Sequence, residues 1–186
     1  DIELIKNIPI GAGLGGGSAD AAACILILNK LFDLQLSHKE QLNLASQLGA
    51  DCAFFIKNKI MYIEGIGDKF TDITLDLSNY HFIVIYPDIH VSTFDAYKHV
   101  TPKKPSNNIR EILSKPIETW KNQLKNDFEI SIFKQYPKIE KIKNQLYNSG
   151  AIYASMSGSG STVYGIFKNP PETSFENLGK NWSFVM

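Results

Sequence analysis

The chain has 186 residues with 44% hydrophobic content, enough to bury a sizeable core in one large or two small domains. Nineteen basic and nineteen acidic side chains cancel, which argues against nucleic acid or an anionic membrane as the main partner. No apolar run is long enough to span a bilayer and no stretch has the make-up of a signal peptide, so the expectation is a cytoplasmic protein.

Taken in chain order, Ile2 to Lys6 reads as the end of a strand. It enters a run with five glycines in seven positions, Gly11 to Gly17, and Ser18 is a good N-cap for an alanine-rich helix over 18–32, with Asp20 in its first turn. Ser37 to Glu40 has the form of a capping box opening a second helix, with Leu42, Leu44, Ala45 and Leu48 apolar and Gly49 as its stop. Residues 52–56 and 60–63 read as the two strands of a hairpin. Cys24 in the first helix and Cys52 at the start of that hairpin read as buried, reduced thiols. A second unit begins near Tyr80: a buried strand over 82–86 ended by Pro87, short helices from Ser92 and from near Asn107, and a surface connection between them from Thr101 to Pro105. A helix over 138–148 carries Ile139, Ile142 and Leu146 on one face and stops at Gly150. Two strands, 151–155 and 162–167, then flank the turn Ser157-Gly-Ser-Gly160. The pattern is α+β, with the domain boundary between residues 78 and 79.

Five glycines ahead of a helix are costly to order, and they bring bare N–H groups together where no Cβ keeps a ligand away, an arrangement suited to phosphate. The loop has no lysine, which excludes the P-loop pattern. Gly11, Gly13 and Gly16 match the dinucleotide fingerprint, but Asp33, at the distance of its acidic residue, follows the helix with no intervening strand. The four histidines show no metal-ligand spacing with one another or with the cysteines.

The stretch Pro9-Ile-Gly-Ala-Gly-Leu-Gly-Gly-Gly-Ser-Ala-Asp-Ala-Ala22 resembles the ATP-binding loop of the GHMP kinases, which include galactokinase and the homoserine, mevalonate and phosphomevalonate kinases. Leu48-Gly-Ala-Asp-Cys-Ala-Phe-Phe55 with Glu64-Gly-Ile-Gly-Asp68, and Ser155-Met-Ser-Gly-Ser-Gly-Ser-Thr-Val-Tyr164, resemble further motifs of the family in the same order. The triple glycine after Leu14 is most similar to those members that phosphorylate a cytidine diphosphate derivative of methylerythritol in the non-mevalonate route to isoprenoids. The resemblance implies a two-domain fold: an N-terminal ATP-binding part like ribosomal protein S5 domain 2, incomplete over residues 1–78, and a ferredoxin-like C-terminal domain over 79–186. It implies ATP and Mg2+ as cofactors and a small-molecule substrate, with no nucleic-acid or membrane partner, in a monomer or weak homodimer. It also implies a preceding segment, with a lysine in an opening strand, that has no counterpart here. The chain is accordingly expected to be N-terminally incomplete and, as it stands, to turn over little.

Residue by residue, the likeness assigns ATP binding to Pro9, Ile10, Gly11, Ala12, Gly13, Leu14, Gly15, Gly16, Gly17, Ser18 and Ala19. Ser18 serves as a helix cap, as a contact to phosphate or magnesium, or as both. Ala19 stands where a second serine is common, and Cys52-Ala53 where Val-Pro is frequent. Asp51 is the implied catalytic aspartate, since an ionised carboxylate can take the proton of an acceptor hydroxyl. From local sequence alone it is equally a turn aspartate. Ser157, Gly158, Ser159 and Gly160 form either an ordinary hairpin turn or, by the resemblance, a wall of the active site. Tyr97, in Val91-Ser-Thr-Phe-Asp-Ala-Tyr97, is the candidate to stack on the cytosine, or else a core residue on a helix face. Another GHMP acceptor (homoserine, mevalonate or a sugar) and a non-catalytic nucleotide-binding module are the alternative readings.

Overall fold

A computed structural model describes residues 1–101 and 108–185. By compactness these fall into two units, Gly15–Thr74 on one hand and residues 1–14 with those from Leu75 onward on the other.

The Gly15–Thr74 unit holds three helices and a hairpin. Helix α1 (Gly16–Leu31) packs Ala22 and Ile25 against α2 (His38–Leu48) and α3 (Cys52–Lys57), where Ala45, Cys52, Ala53 and Ile56 complete the core. Small side chains let the three axes approach closely. Along the rest of α1, Leu26, Ile27, Leu28 and Leu31 are exposed, and Cys24 is half-buried where burial was expected; Cys52 is buried. The capping box of α2 is complete: Glu40 N–H donates to Ser37 Oγ, and Ser37 N–H to the Glu40 carboxylate at 2.8 Å. The Ser37 hydroxyl and amide hold the Glu40 carboxyl below its ordinary pKa. Gly49 is the C-cap, in extended conformation.

Residues 52–56 form a helix where the sequence predicted a strand. A five-residue apolar run has no readable period, and what decides is that Cys52, Ala53 and Ile56 share a helical face turned to α1 and α2. Asn58, left-handed with φ 45°, ends α3, and the hairpin is made instead by β1 (Met61–Glu64) and β2 (Lys69–Asp72), antiparallel in the register Met61 to Asp72.

In the second unit a four-stranded antiparallel sheet runs in the order β4 (Tyr153–Met156), β5 (Val163–Phe167), β3 (His81–Tyr86), β6 (Lys180–Val185). This is the ferredoxin-like strand order, with α7 (Pro137–Asn148) as the crossover between β3 and β4. One face meets α6 (Glu129–Gln135) and α7 through Ile83, Ile85, Val163 and Phe167 against Ile132, Ile139, Ile142 and Leu146. The other face, with Phe82, Tyr153 and Ile166, is covered by Trp120 and Ile117 of a 3₁₀ turn and by Ile112 of α5 (Ile109–Leu113). Burial on both faces accounts for the unbroken apolar run of β3. The stop of α7 is a Schellman motif: Gly150 N–H donates to Tyr147 O and Ala151 N–H to Leu146 O, both at 3.0 Å, with Gly150 at φ 96°.

Residues 2–6 form no strand, because their apolar side chains find no partner strand among the described residues and stand mostly exposed. Most of the predicted connection from Thr101 to Pro105 and the helix start at Asn107 lie outside the described residues; α5 itself is capped by Asn108, whose side chain accepts from Arg110 N–H.

Candidate active site

Gly11, Gly13 and Gly15 all have positive φ (70°, 78° and 65°), so the run bends at every second residue into a conformation that L side chains rarely adopt. Gly15 is itself the N-cap of α1, with no side-chain cap, and Ser18 lies three residues inside the helix. This corrects the expected cap. Serine is a favoured N-cap, but the left-handed turn at Gly15 starts the helix three residues earlier, and Asp20 therefore lies beyond the first turn.

The first intrahelical bond runs from Ala19 N–H to Gly15 O at 2.9 Å. The N–H groups of Gly16, Gly17 and Ser18 have no hydrogen-bond acceptor among the described residues, as expected of an uncapped helix start. Packing explains the glycine at 15, where a Cβ would press to 2.8 Å on the Phe55 ring. It does not explain Gly17, where a Cβ would meet nothing within 4 Å. Glycine in a helix costs about 1 kcal/mol relative to alanine, so its presence beside open space and bare amides fits an approaching anion. Phosphate groups of a nucleotide match that donor set, and Ser18, half-buried, adds a hydroxyl to it.

The first half of the run belongs with the other unit. Pro9 and Ile10 lead into it, Gly11 lies against the His90 ring, and Ala12 is buried. Thr162 N–H donates to Ala12 O at 3.0 Å and Ser157 Oγ to Gly13 O at 2.7 Å. A Cβ on Gly13 would lie 2.3 Å from Ser157 O and 2.7 Å from Gly160 O. Residues 11–14 and the turn Ser157–Gly160 are therefore in main-chain contact, although 144 positions separate Gly13 from Ser157. The turn joins β4 to β5 and is closed by Gly160 N–H to Ser157 O at 3.0 Å and Ser157 N–H to Thr162 O at 2.8 Å. It is thus both a hairpin connection and a neighbour of the glycine run.

Asp51 is the N-cap of α3, exposed, and makes no capping hydrogen bond, so its carboxylate is committed to no part of its own helix. Its place at a helix start, and not at the mouth of a strand, follows from the helical state of residues 52–57. The β1–β2 turn comes up beside it: a Cβ on Gly67 would lie 3.2 Å from Ala50 O. The stretches around Asp51 and Gly65 that stand apart in sequence are therefore adjacent. A cavity of 630 Å³ lies next to them, lined by Leu42, Ser46, Ala53, Lys57, Gly67 and Phe70 among others. It contains none of the predicted site residues.

Tyr97 lies on α4 (Thr93–Lys98), whose cap Ser92 accepts from Asp95 N–H. At 65% exposure it is not a core residue, which removes one of its two readings. Its ring meets Phe128 edge-on at 4.9 Å. Two residues not among those predicted are Asn126, which reaches Gly158 of the Ser157–Gly160 turn from 32 positions away, and Glu129, which reaches Met156 at the end of β4 from 27 positions away. The one available signal was a glutamate three residues ahead of Ile132 on an otherwise apolar helix face. Among the described residues no group of three or more His, Cys, Asp or Glu side chains is placed to hold a metal ion, and no helix is long and apolar enough to cross a membrane.

Residues 1–59 match the family model described as GHMP kinases N terminal domain, and residues 108–182 that of GHMP kinases C terminal. The chain belongs to the GHMP kinase family. Relatives it matches within that family include proteins named 4-diphosphocytidyl-2-C-methyl-D-erythritol kinase. One, from Bacteroides fragilis, is 53% identical over 167 residues, covering 90% of this chain and 61% of the relative. Another, from Cytophaga hutchinsonii, is 49% identical over 185 residues, covering 99% and 68%. A crystal structure of 4-(cytidine 5′-diphospho)-2C-methyl-D-erythritol kinase superposes with a TM-score of 0.82 at 28% identity, over 96% of this chain and 67% of that one. Mevalonate kinase from Methanococcus jannaschii, at 17% identity and a TM-score of 0.69 over 98% of this chain and 67% of that one, shares the fold. The chain spans about three fifths of the length of the Bacteroides fragilis relative.

Proposed function

We propose that the protein is an ATP-dependent kinase that phosphorylates the 2-hydroxyl of 4-diphosphocytidyl-2-C-methyl-D-erythritol in isoprenoid precursor synthesis. The observation that carries this reading is the start of α1: three unclaimed amides, Gly16 to Ser18, with open space over Gly17. Relatives of that name at about half identity over nine tenths of the chain supply the acceptor. In this reading ATP with Mg2+ supplies the phosphoryl group, and residues Pro9 to Ala19 hold its phosphates, chiefly through main-chain N–H groups, with the Ser18 hydroxyl turned to phosphate or magnesium. The chain's own contribution to the chemistry is then small and positional. Asp51, uncommitted by any cap, accepts the proton of the acceptor hydroxyl. Ser157 to Gly160 form a wall of the site, and Tyr97 offers an exposed ring for a pyrimidine to stack on. A division into an ATP-binding part to residue 78 and a C-terminal domain from 79, cytoplasmic localisation, and a monomer or weak homodimer belong to the same proposal.

The test is ADP release by the polypeptide expressed from its complete coding sequence, supplied with ATP and either the cytidine diphosphate substrate, homoserine, mevalonate or a sugar. Turnover with the first alone supports the proposal, and preference for another acceptor moves the specificity. ATP binding without turnover on any acceptor leaves a nucleotide-binding module. Asp51→Asn, at an exposed residue without a capping bond, should change stability by less than about 0.5 kcal/mol and lower kcat by about a hundredfold or more. Near-normal kcat in that variant removes Asp51 from the mechanism.

A further inference from the structure

Strand β4 is an edge of its sheet, so one side of its main chain has no neighbouring strand among the described residues. Side chains take that place. The Asn126 carboxamide donates to Met156 O and to Gly158 O, each at 2.8 Å, using both of its N–H groups on carbonyls that flank Ser157. Glu129 accepts Met156 N–H at 2.9 Å and Ser155 Oγ at 3.3 Å on one carboxylate oxygen, while the other takes Lys143 Nζ at 2.5 Å. The N–H and the C=O of Met156 are thereby both held from one short segment. On its inner side the same turn is held by Ser157 N–H to Thr162 O and Ser157 Oγ to Gly13 O. Within this frame Gly158 N–H and Ser159 N–H have no acceptor among the described residues.

The segment between Asn126 and Glu129 has a second contact. Phe128 N–H donates to Asn126 Oδ1 at 3.0 Å, which sets the backbone of that turn, and the Phe128 ring stands edge-on to Tyr97 at 4.9 Å and 74°. Tyr97 is exposed on a six-residue helix, and Phe128 is a ring against which it stands.

We propose that Asn126, Phe128 and Glu129 form a positioning bracket that fixes the Ser157–Gly160 wall at one end and the Tyr97 ring at the other, setting the two against each other for one substrate. This rests on the kinase reading above and deepens it. None of the three is a catalytic residue; each acts through the group it holds. A nucleoside diphosphate derivative suits such a bracket, since its base and its phosphate-linked end must be located at the same time. Because the two arms are separate side chains, they should fail separately.

The experiment uses the polypeptide from the complete coding sequence, with ATP and cytidine 5′-diphosphate as titration probes and amide hydrogen exchange as a readout independent of activity. Asn126→Asp keeps the acceptor for Phe128 N–H and loses both donors. It should raise exchange at the hydrogen-bonded amides of Met156, Ser157 and Gly160 at least tenfold and weaken ATP or lower kcat at least tenfold, with cytidine 5′-diphosphate affinity changed less than threefold. Phe128→Leu should do the reverse, weakening cytidine 5′-diphosphate at least fivefold with kcat and ATP affinity within twofold of wild type. If the aspartate variant does not fold, Asn126→Ala carries the exchange and ATP or kcat expectations alone, since it also removes the acceptor of Phe128 N–H, and Phe128→Leu carries the cytidine 5′-diphosphate arm. Unchanged exchange at Met156, Ser157 and Gly160, or equal losses on both probes in both variants, as a general loosening would give, overturns the bracket. Wild-type protein that binds neither nucleotide overturns the kinase reading, and the bracket as a substrate-positioning device with it.

Discussion

Gly17→Ala separates the demands of folding from those of the ligand. Gly17 is the second residue of α1, and a methyl group there meets no protein atom within 4 Å. Folding therefore gains the ordinary difference between glycine and alanine in a helix, about 0.5–1 kcal/mol, with no steric cost against it. For a chain of 186 residues that corresponds to a rise in Tm of about 1–4 °C. In the proposed reading ATP experiences the opposite. The methyl stands beside the amides of Gly16 to Ser18, and the loss of one hydrogen bond from such an amide to a charged oxygen costs about 1.5–3 kcal/mol. At 1.4 kcal/mol per factor of ten, the Kd for ATP should rise by about ten- to a hundredfold. Thermal unfolding without ligand and calorimetric titration with ATP and Mg2+ give the two numbers on one protein. A higher Tm with unchanged ATP affinity would refute the phosphate cradle, since the open space over Gly17 would then have no bearing on the nucleotide. A lower Tm would refute the claim that the space is open.

Gly13→Ala should behave differently, because its Cβ would lie 2.3 Å from a main-chain carbonyl oxygen at a residue with φ 78°. The left-handed conformation alone costs about 1–2 kcal/mol, so urea unfolding should show a loss of at least that, and a smaller loss would mean that the contact with Ser157 yields easily. Thr162 is fully buried and its Oγ1 has no hydrogen-bond partner among the described residues, so Thr162→Val should stabilise the fold by about 1 kcal/mol; destabilisation in the same measurement would reveal a partner for the hydroxyl. Burial raises the Tyr153 phenol well above its ordinary pKa and that of Tyr164 up to about 12. Each phenol stays protonated when folded and ionises near pH 10 when unfolded, so its contribution is intact below that pH and falls above it at up to about 1.4 kcal/mol per pH unit, for Tyr164 until about pH 12 and for Tyr153 beyond. Denaturant midpoints that stay level from pH 9 to 11.5 would contradict the burial of these two groups.

Much of the architecture could be read from residues close together in the chain. The capping box at Ser37 and the stop at Gly150 rest on bonds within about five positions, the face of Ile139, Ile142 and Leu146 shows in helical spacing, and the glycine run shows in composition. Sequence therefore determined α2, α7, β3 and the family, along with Asp51 and the glycine run as the places to look. It could not determine the state of residues 52–57. Cys52 to Ile56 is apolar whether folded as strand or helix, and the choice was made by Ala22 and Ala45 arriving from other helices. Nor could it show that α1 is capped at Gly15 and not Ser18, that Tyr97 stands exposed, or that β6 pairs with β3. The hold of Asn126 on the Ser157–Gly160 turn, and of Glu129 on the end of β4 that leads into it, belonged to tertiary structure alone. A side chain that satisfies a carbonyl 32 positions away leaves no period and no local motif, because the bond exists only once the sheet edge has been laid beside it.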